Sequence, residues 1–125
     1  METLPRLLAV VWVQKLGVLR HAGLLLPNGL IVHCAPNRGE HMTTPEQFAE
    51  GKDVTIDYVV PLEQRSAVLE RVNEALKQPR PYDVLENNCE MFVNRMLGKE
   101  PISPQLRAVV GVLALVALGK LATRG

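Results

Sequence analysis

The chain has 125 residues and a formal net charge of +1, with 14 Lys plus Arg residues against 13 Asp plus Glu residues. This length leaves room for one small folded core. The near-neutral charge argues against a dedicated nucleic-acid binder, because such proteins gather an excess of cations. A hydrophobic fraction of 47% excludes wholesale disorder, and an aromatic fraction of 4% predicts an aliphatic core.

The N-terminus and the cysteines indicate the compartment. Residues 1–6 make a poor signal peptide, because one Arg precedes the apolar run and no small-residue cleavage site follows it. Cys34 and Cys89 form no CxxC pair, although two thiols would suffice for one disulfide. We expect a protein made and kept in a reducing compartment, with both thiols free.

Three apolar runs open the chain. Leu7–Val13 is rich in β-branched residues and predicts a strand. The runs 18–26 and 30–33 flank Asn28-Gly29, a pair that predicts a hairpin with a two-residue turn. In that register His21 lies opposite Pro36 and about three positions from His33, so the spacing alone does not bring the two histidines into contact.

The middle of the chain predicts a loop, a strand and two helices. Residues 35–53 hold several Pro, Gly and Thr residues and predict a long surface loop with room for one helical turn. Val54–Val60 alternates and predicts a strand that Pro61 stops. Apolar residues at helical spacing predict a helix over 62–78, and a second, shorter helix over 89–97.

The C-terminal segment is apolar on every face. Twelve uncharged residues, Ala108–Gly119, stand between Arg107 and Lys120. A helix of that length rises about 18 Å, against about 30 Å for the hydrocarbon of a bilayer, and about 25 Å if the flanking cations snorkel. An all-apolar helix must be buried in something, and we favour membrane insertion over docking on a protein partner or in an oligomer. The expected organisation is a body over 1–103 and an apolar anchor helix over 104–125.

Cys89 is the first candidate for chemistry. It follows the predicted N-cap at Asn87-Asn88, where the helix dipole and the unpaired N–H groups lower the pKa of a thiol and can hold an oxyanion. Asn88 and Glu90 are expected to support this helix terminus. The alternative is a buried cysteine that acts as a small hydrophobe.

The histidines are the second candidates. A Cys nucleophile needs a base and a group that orients the base, and His21 and His33 lie on neighbouring arms of the predicted hairpin. A lone His on a strand is more often a satisfied polar residue. His41 has no motif around it and is expected at the surface. No metal-ligand spacing and no Gly-rich phosphate loop is present, so neither metal nor cofactor is predicted.

Three motifs together resemble the lecithin retinol acyltransferase-like (LRAT-like) family. They are His21–Gly23, the V-H-C-A-P run at 32–36, and the N-C-E-M-F-V run at 88–93. The nearest branch is the small Ras-suppressor-like phospholipase A/acyltransferases, within the permuted NlpC/P60 superfamily, and the apolar C-terminus is similar too. Met91 replaces the usual His of the Cys block, and Ala22-Gly23 replaces an aromatic residue that often follows the first His.

The resemblance implies an α+β fold of the permuted papain-like or NlpC/P60 type, with an antiparallel sheet packed against the Cys helix. It implies a Cys-His-His triad with Cys89 as nucleophile, His21 as base and His33 as the residue that orients His21. The implied activity is attack on a glycerophospholipid ester, an acyl-thioester on Cys89, and transfer to water, a lysolipid or an amine. The expected location is the cytoplasmic side of a membrane, with no nucleic-acid partner and with the oligomeric state open.

Two other readings stay open. The run Tyr82–Phe92 also looks like the Cys block of the PPPDE deubiquitinase/deSUMOylase-like peptidases, which would make the chain a cysteine peptidase, an isopeptidase or an amidase. A membrane-tethered binding module that kept the fold without its chemistry is the third reading.

Overall fold

The β-branched runs form one sheet. The structure is a computed structural model that describes residues 6–17 and 19–123, so that the N-terminal residues 1–5, Val18 and the last two residues of the predicted anchor lie outside it. The strands are β1 (Ala9–Gln14), β2 (Arg20–Leu25), β3 (Ile31–Ala35), β4 (Gly39–Thr43) and β5 (Thr55–Val59). All neighbouring strands are antiparallel, and their order across the sheet is β4-β3-β2-β1-β5.

The hairpin between β2 and β3 differs from the predicted one by a single residue, and this difference places the histidines. The predicted two-residue turn is wrong, because Leu26 donates its N–H to Leu30 O and Leu24 pairs with Val32. Pro27-Asn28-Gly29 therefore forms a three-residue loop, in which Gly29 has a φ of 86°. A one-residue shift moves a strand's side chains to the other face of a sheet. In the observed register His21 and His33 lie on the same face.

The predicted long loop over residues 35–53 is wrong for the part that forms a strand, while the helical turn expected there is present. It contains β4, whose five residues all pair with β3, and a short helix, α1 (Pro45–Ala49). Thr44 caps α1 by accepting from the N–H of Gln47, whose side chain in turn accepts from the N–H of Thr44. This T-x-x-Q capping box, with Pro at the first helical position, was present in the sequence as a signal for a helix start.

Two helices cover one face of the sheet. They are α2 (Arg65–Lys77), preceded by a 3-10 turn over Leu62–Gln64, and α3 (Cys89–Met96), close to the predicted bounds. The core between them and the sheet consists of buried aliphatic side chains and Phe92. A smaller apolar cluster on the opposite face gathers around Phe48 of α1. The expected α+β class and the packing of the Cys helix on the antiparallel sheet are confirmed, while the permuted papain-like topology stays a prediction.

The last element is a long helix, α4 (Pro104–Thr123), where an apolar helix was predicted. Its aliphatic side chains from Val109 to Leu118 are largely exposed. Among the helices in the described ranges, none is long and apolar enough to cross a membrane.

Candidate active site

A pair of buried histidines forms the centre of the site. His21 Nε2 lies 2.7 Å from His33 Nδ1, a hydrogen bond between side chains that are 8% and 7% exposed. The two rings meet edge to face, with centroids 5.0 Å apart. His21 sits on β2 and His33 on β3, so the three-residue hairpin loop is what brings them together. Both residues were candidates from the sequence, but the hairpin register predicted from the sequence did not bring them into contact.

Phe48 packs against both histidines. Its ring centroid lies 5.4 Å from that of His21 and 5.2 Å from that of His33. Room for this ring comes from Gly23, since a Cβ there would lie 2.9 Å from both Ile31 Cγ2 and Phe48 Cε2. An aromatic ring therefore borders the first His in this chain too, but it comes from α1 rather than from the residues that follow His21.

Burial keeps both histidines neutral at physiological pH. Desolvation, with a smaller effect of the Lys15 charge, lowers the pKa of His21 from 6.5 to about 4. Desolvation, followed by the effects of His21 and His41, lowers the pKa of His33 from 6.5 to about 3. A neutral imidazole has a free lone pair, which is the form that a general base requires.

His41, which was expected at the surface, packs beside this pair and is partly exposed. It is the β4 partner of His33, with ring centroids 4.3 Å apart. Its Nδ1 lies 2.9 Å from Gly39 O and must carry the proton, since a carbonyl only accepts. The turn at Pro36–Arg38 pairs residues 33 and 41. The sequence did not predict this pairing, because β4 begins at a glycine and is polar and therefore gives no strand signal.

Cys89 stands at the N-terminus of α3, as predicted. Asn88 caps this helix, because its Oδ1 accepts from the N–H of Met91 at 3.0 Å. The backbone N–H groups of Ala22, Glu90 and Cys89 all act on the sulfur and favour its thiolate. Ala22 lies on β2 outside the part of this strand that pairs with β3. That pairing is limited to Leu24–Val32 and Leu25–Ile31, next to the hairpin loop.

The predicted low pKa of this thiol is wrong. Burial raises the pKa of Cys89 above its ordinary value of 9.0, and this effect exceeds the lowering by the three backbone N–H groups. The Glu90 carboxylate next to it acts in the same direction as burial. At neutral pH Cys89 is thus a thiol, and it would have to lose its proton in order to act as a nucleophile.

The second cysteine is separate from this chemistry. Cys34 is free, as is Cys89, so the expectation of two free thiols is confirmed. It is fully buried in the core, and its sulfur donates to Asn87 O at 3.3 Å. Burial, together with the nearby Glu40 and Cys89, raises the pKa of Cys34 to about 12. It therefore offers no thiolate for nucleophilic attack.

A buried ion pair, which the sequence did not reveal, holds the Cys helix to the sheet. Glu40 of β4 has a fully buried carboxylate that lies 2.5 Å from the Arg95 guanidinium of α3. Asn87 joins them, because its Nδ2 donates to Glu40 Oε2 and its Oδ1 accepts from Arg95. The backbone N–H of Arg80 donates to the other Glu40 oxygen. This network fixes the residues immediately before Asn88 and Cys89.

The side chain of Glu90 reaches the start of α4, while the support of the α3 N-terminus that was expected of this residue stays a prediction. Its Oε1 accepts from the Ser103 hydroxyl and from the N–H of Gln105. The carboxylate thus lies at the N-terminus of α4, where a negative charge is stabilised by the helix dipole.

One cavity of about 620 Å³ brings the candidate groups together. His21, His33, Asn88, Cys89 and Glu90 all line it. Its remaining wall is mostly apolar and includes Leu19, Ala35, Pro36, Phe48, Tyr82, Val84, Leu106 and Val109. Polar side chains also line it, namely Lys15, Arg20, Gln47, Glu50, Ser103 and Gln105. Within the described residues no group of three or more His, Cys, Asp or Glu side chains could hold a metal ion.

An α+β domain with a helix-terminal thiol and two hydrogen-bonded histidines in one apolar cavity is equipped for nucleophilic acyl chemistry. Two curated proteins of Rattus norvegicus are similar to this chain. Phospholipase A and acyltransferase 1 is 27% identical over 125 aligned positions, which cover 80% of this chain and 72% of that protein. Lecithin retinol acyltransferase is 38% identical over 85 positions, which cover 65% of this chain and 35% of that protein.

These two matches confirm the relationship to the LRAT-like family that the three sequence motifs indicated. No model of a known protein family and no solved structure matches the chain. Membership of the wider NlpC/P60 superfamily therefore stays a prediction.

Proposed function

We propose that this chain is a thiol-dependent acyl-enzyme that attacks glycerophospholipid esters through an acyl-thioester on Cys89. The observation that carries the proposal is the 2.7 Å contact between His21 and His33 in the apolar cavity that Cys89 also lines. The names of the two relatives, a phospholipase A and acyltransferase and a lecithin retinol acyltransferase, support the same class of reaction.

The proposed first step begins from neutral partners. His33 orients His21 through the Nε2–Nδ1 hydrogen bond, which leaves Nδ1 of His21 as the ring nitrogen that takes the Cys89 proton. The sulfur attacks the ester carbonyl, the resulting oxyanion is stabilised by backbone N–H groups at the start of α3, and the alkoxide leaves with the proton from His21. The products are an acyl-thioester and a lysolipid.

The second step removes the acyl group. Water, the hydroxyl of a lysolipid or an amine gives a proton to His21 and attacks the thioester, and Cys89 leaves as the thiol. Water yields a fatty acid, while the other two acceptors yield a new ester or amide. The His pair serves all three acceptors in the same way.

The cavity supports a lipid as the donor. Its largely apolar wall suits a fatty acyl chain, and Arg20, which also lines it, supplies positive charge for a phosphate group, while Lys15 is paired with Glu50 at 3.1 Å. The exposed apolar surface of α4 would associate with the membrane that contains the ester. Together with the free thiols, this supports a membrane-associated protein on the cytoplasmic side.

The test is intact-protein mass spectrometry after mixing the purified chain with phosphatidylcholine vesicles. We expect a mass gain of one acyl group that hydroxylamine removes. Cys89→Ala should abolish the gain. Cys34→Ala is the matched control, because it removes the other, buried cysteine and should retain the gain.

Absence of the adduct in the wild-type chain and in Cys34→Ala, with no release of fatty acid, would contradict the proposal. Cleavage of an isopeptide or peptide substrate by the same preparation would then assign the thiol to a peptidase.

A further inference from the structure

The N-terminal turn of α4 is hydrogen-bonded to both elements that carry the proposed catalytic residues. Glu90, next to Cys89, accepts from Ser103 and from the backbone of Gln105. The Gln105 carboxamide pairs with the backbone of Arg20, next to His21, through contacts of 2.7 and 2.8 Å. Two residues at the start of α4, Ser103 and Gln105, are thus positioned by the neighbours of the thiol and of the base.

This attachment places apolar side chains of α4 in the wall of the cavity. Leu106 and Val109 are three positions apart, so they lie on one face of the helix, and both line the cavity that holds Cys89 and His21. Along the helix the same face continues with Leu113 and Val116, which are exposed. An unbroken apolar strip therefore leads from the proposed thioester toward the outside of the protein.

The chemistry of this strip selects its occupant. A helix satisfies its own backbone N–H and C=O groups, so this wall offers no main-chain partner to an extended peptide. No charged side chain occurs between Ala108 and Gly119. Only apolar contacts remain, and these suit a hydrocarbon chain.

We propose that α4 is a substrate-binding element as well as an apolar tail: Leu106 and Val109 form the wall along which the acyl chain of the Cys89 thioester extends. This inference rests on the proposed function and adds to it that α4 sets the preference for acyl-chain length. A longer chain gains contacts along Val109 and beyond, whereas an acetyl group does not reach them.

The test compares p-nitrophenyl esters of two to twelve carbons, with the full chain and a Trp placed at either of two adjacent positions. Val109→Trp fills the cavity wall and should lower the ratio of kcat/KM for dodecanoate to that for acetate by roughly tenfold, the effect of losing about two buried methylenes. Val110→Trp is the matched control, since Val110 is similarly exposed and does not line the cavity. Its ratio should stay at the wild-type value.

A third variant covers the case in which the Trp perturbs folding. Val109→Ala widens the same wall and should weaken the preference for long chains without a large side chain to accommodate. Equal ratios in wild type, Val109→Trp and Val109→Ala would contradict the role of α4. If the wild-type chain instead turned over no ester and formed no thioester, the proposed function itself would fail, so the two failures are distinguishable.

Discussion

His21 and Cys89 are both uncharged in the resting protein, because each is desolvated. Burial lowers the pKa of His21 to about 4 and raises the pKa of Cys89. Sites of this kind differ from thiolate–imidazolium pairs, in which the nucleophile is already charged before the substrate binds. In the proposed mechanism the proton moves from sulfur to nitrogen as the ester is attacked, which is general-base catalysis.

This assignment predicts the acid side of the pH–rate profile. His21 acts as a base only when it is neutral, and with a pKa of about 4 it stays neutral well below pH 6.5. We therefore expect kcat/KM for a p-nitrophenyl ester to be unchanged from pH 7 to about pH 5 and to fall below that. Circular dichroism at each pH would separate loss of catalysis from unfolding. A midpoint near pH 6.5 would contradict a desolvated base.

Single residues also show what the sequence could and could not predict. Cys89, His21 and His33 were recognisable by type and by motif. The contact between the two histidines was not predictable, because it depends on whether the hairpin loop has two residues or three. The loop length decides whether both histidines lie on the same face of the sheet. His41 had no motif, and only the pairing of β4 with β3 places it against His33.

The Cys helix depends on one buried carboxylate. Glu40 reaches from β4 to Arg95 of α3 and to Asn87, which precedes the N-cap of the helix. A buried ion pair does not by itself stabilise a fold, since both charges lose their hydration. Removal of one partner, however, leaves the fully buried Glu40 or the largely buried Arg95 without its counter-charge. The network therefore connects the stability of the fold to the position of Cys89.

Replacement of Glu40 tests this dependence. Glu40→Gln should lower the free energy of unfolding by about 2 kcal/mol or more, because Arg95, whose side chain is 23% exposed, loses its counter-charge in a largely buried environment. The measurement is urea denaturation followed by circular dichroism. Glu74→Gln is the control, since it breaks the exposed pair of Glu74 with Lys77, and such a pair contributes at most about 1 kcal/mol. Similar losses in the two variants would show that Glu40 is dispensable.

The elements with strong periodicity were predictable, and the short ones were not. The helices over 65–77 and 89–96 and the β-branched strands follow directly from apolar spacing. β4 is a five-residue strand of mixed polarity, G-E-H-M-T, so it forms because β3 is available to pair with it rather than by its own preference. The capping box at Thr44 was a local signal for α1 that hydrophobic spacing alone does not detect.

The whole molecule combines a well-packed body with an exposed apolar helix. Val112, Leu113, Leu115, Val116 and Leu118 are each at least half exposed, whereas the body encloses a core of buried aliphatic side chains. An exposed apolar surface of this kind marks a site of association with a membrane or a partner. Because the start of α4 borders the proposed active site, association through α4 would bring the cavity to the surface where ester lipids lie.

Flotation with phosphatidylcholine vesicles tests this association. We expect the wild-type chain to float with the vesicles and the double variant Leu113→Asp/Val116→Asp to remain in the aqueous fraction, because each residue loses about 1.5–3 kcal/mol of apolar transfer and gains a charge. The matched control is Ile56→Asp/Val59→Asp, which changes two similarly exposed residues on the edge strand β5. Loss of flotation in the control alone would assign the membrane contact to β5, and equal flotation of all three proteins would contradict a role for α4. Turnover of p-nitrophenyl acetate should survive in both variants, because this ester is too short to reach Leu113 or Val116 on the strip beyond Val109. Loss of flotation with intact turnover of the acetate ester would therefore separate membrane association from the chemistry at Cys89.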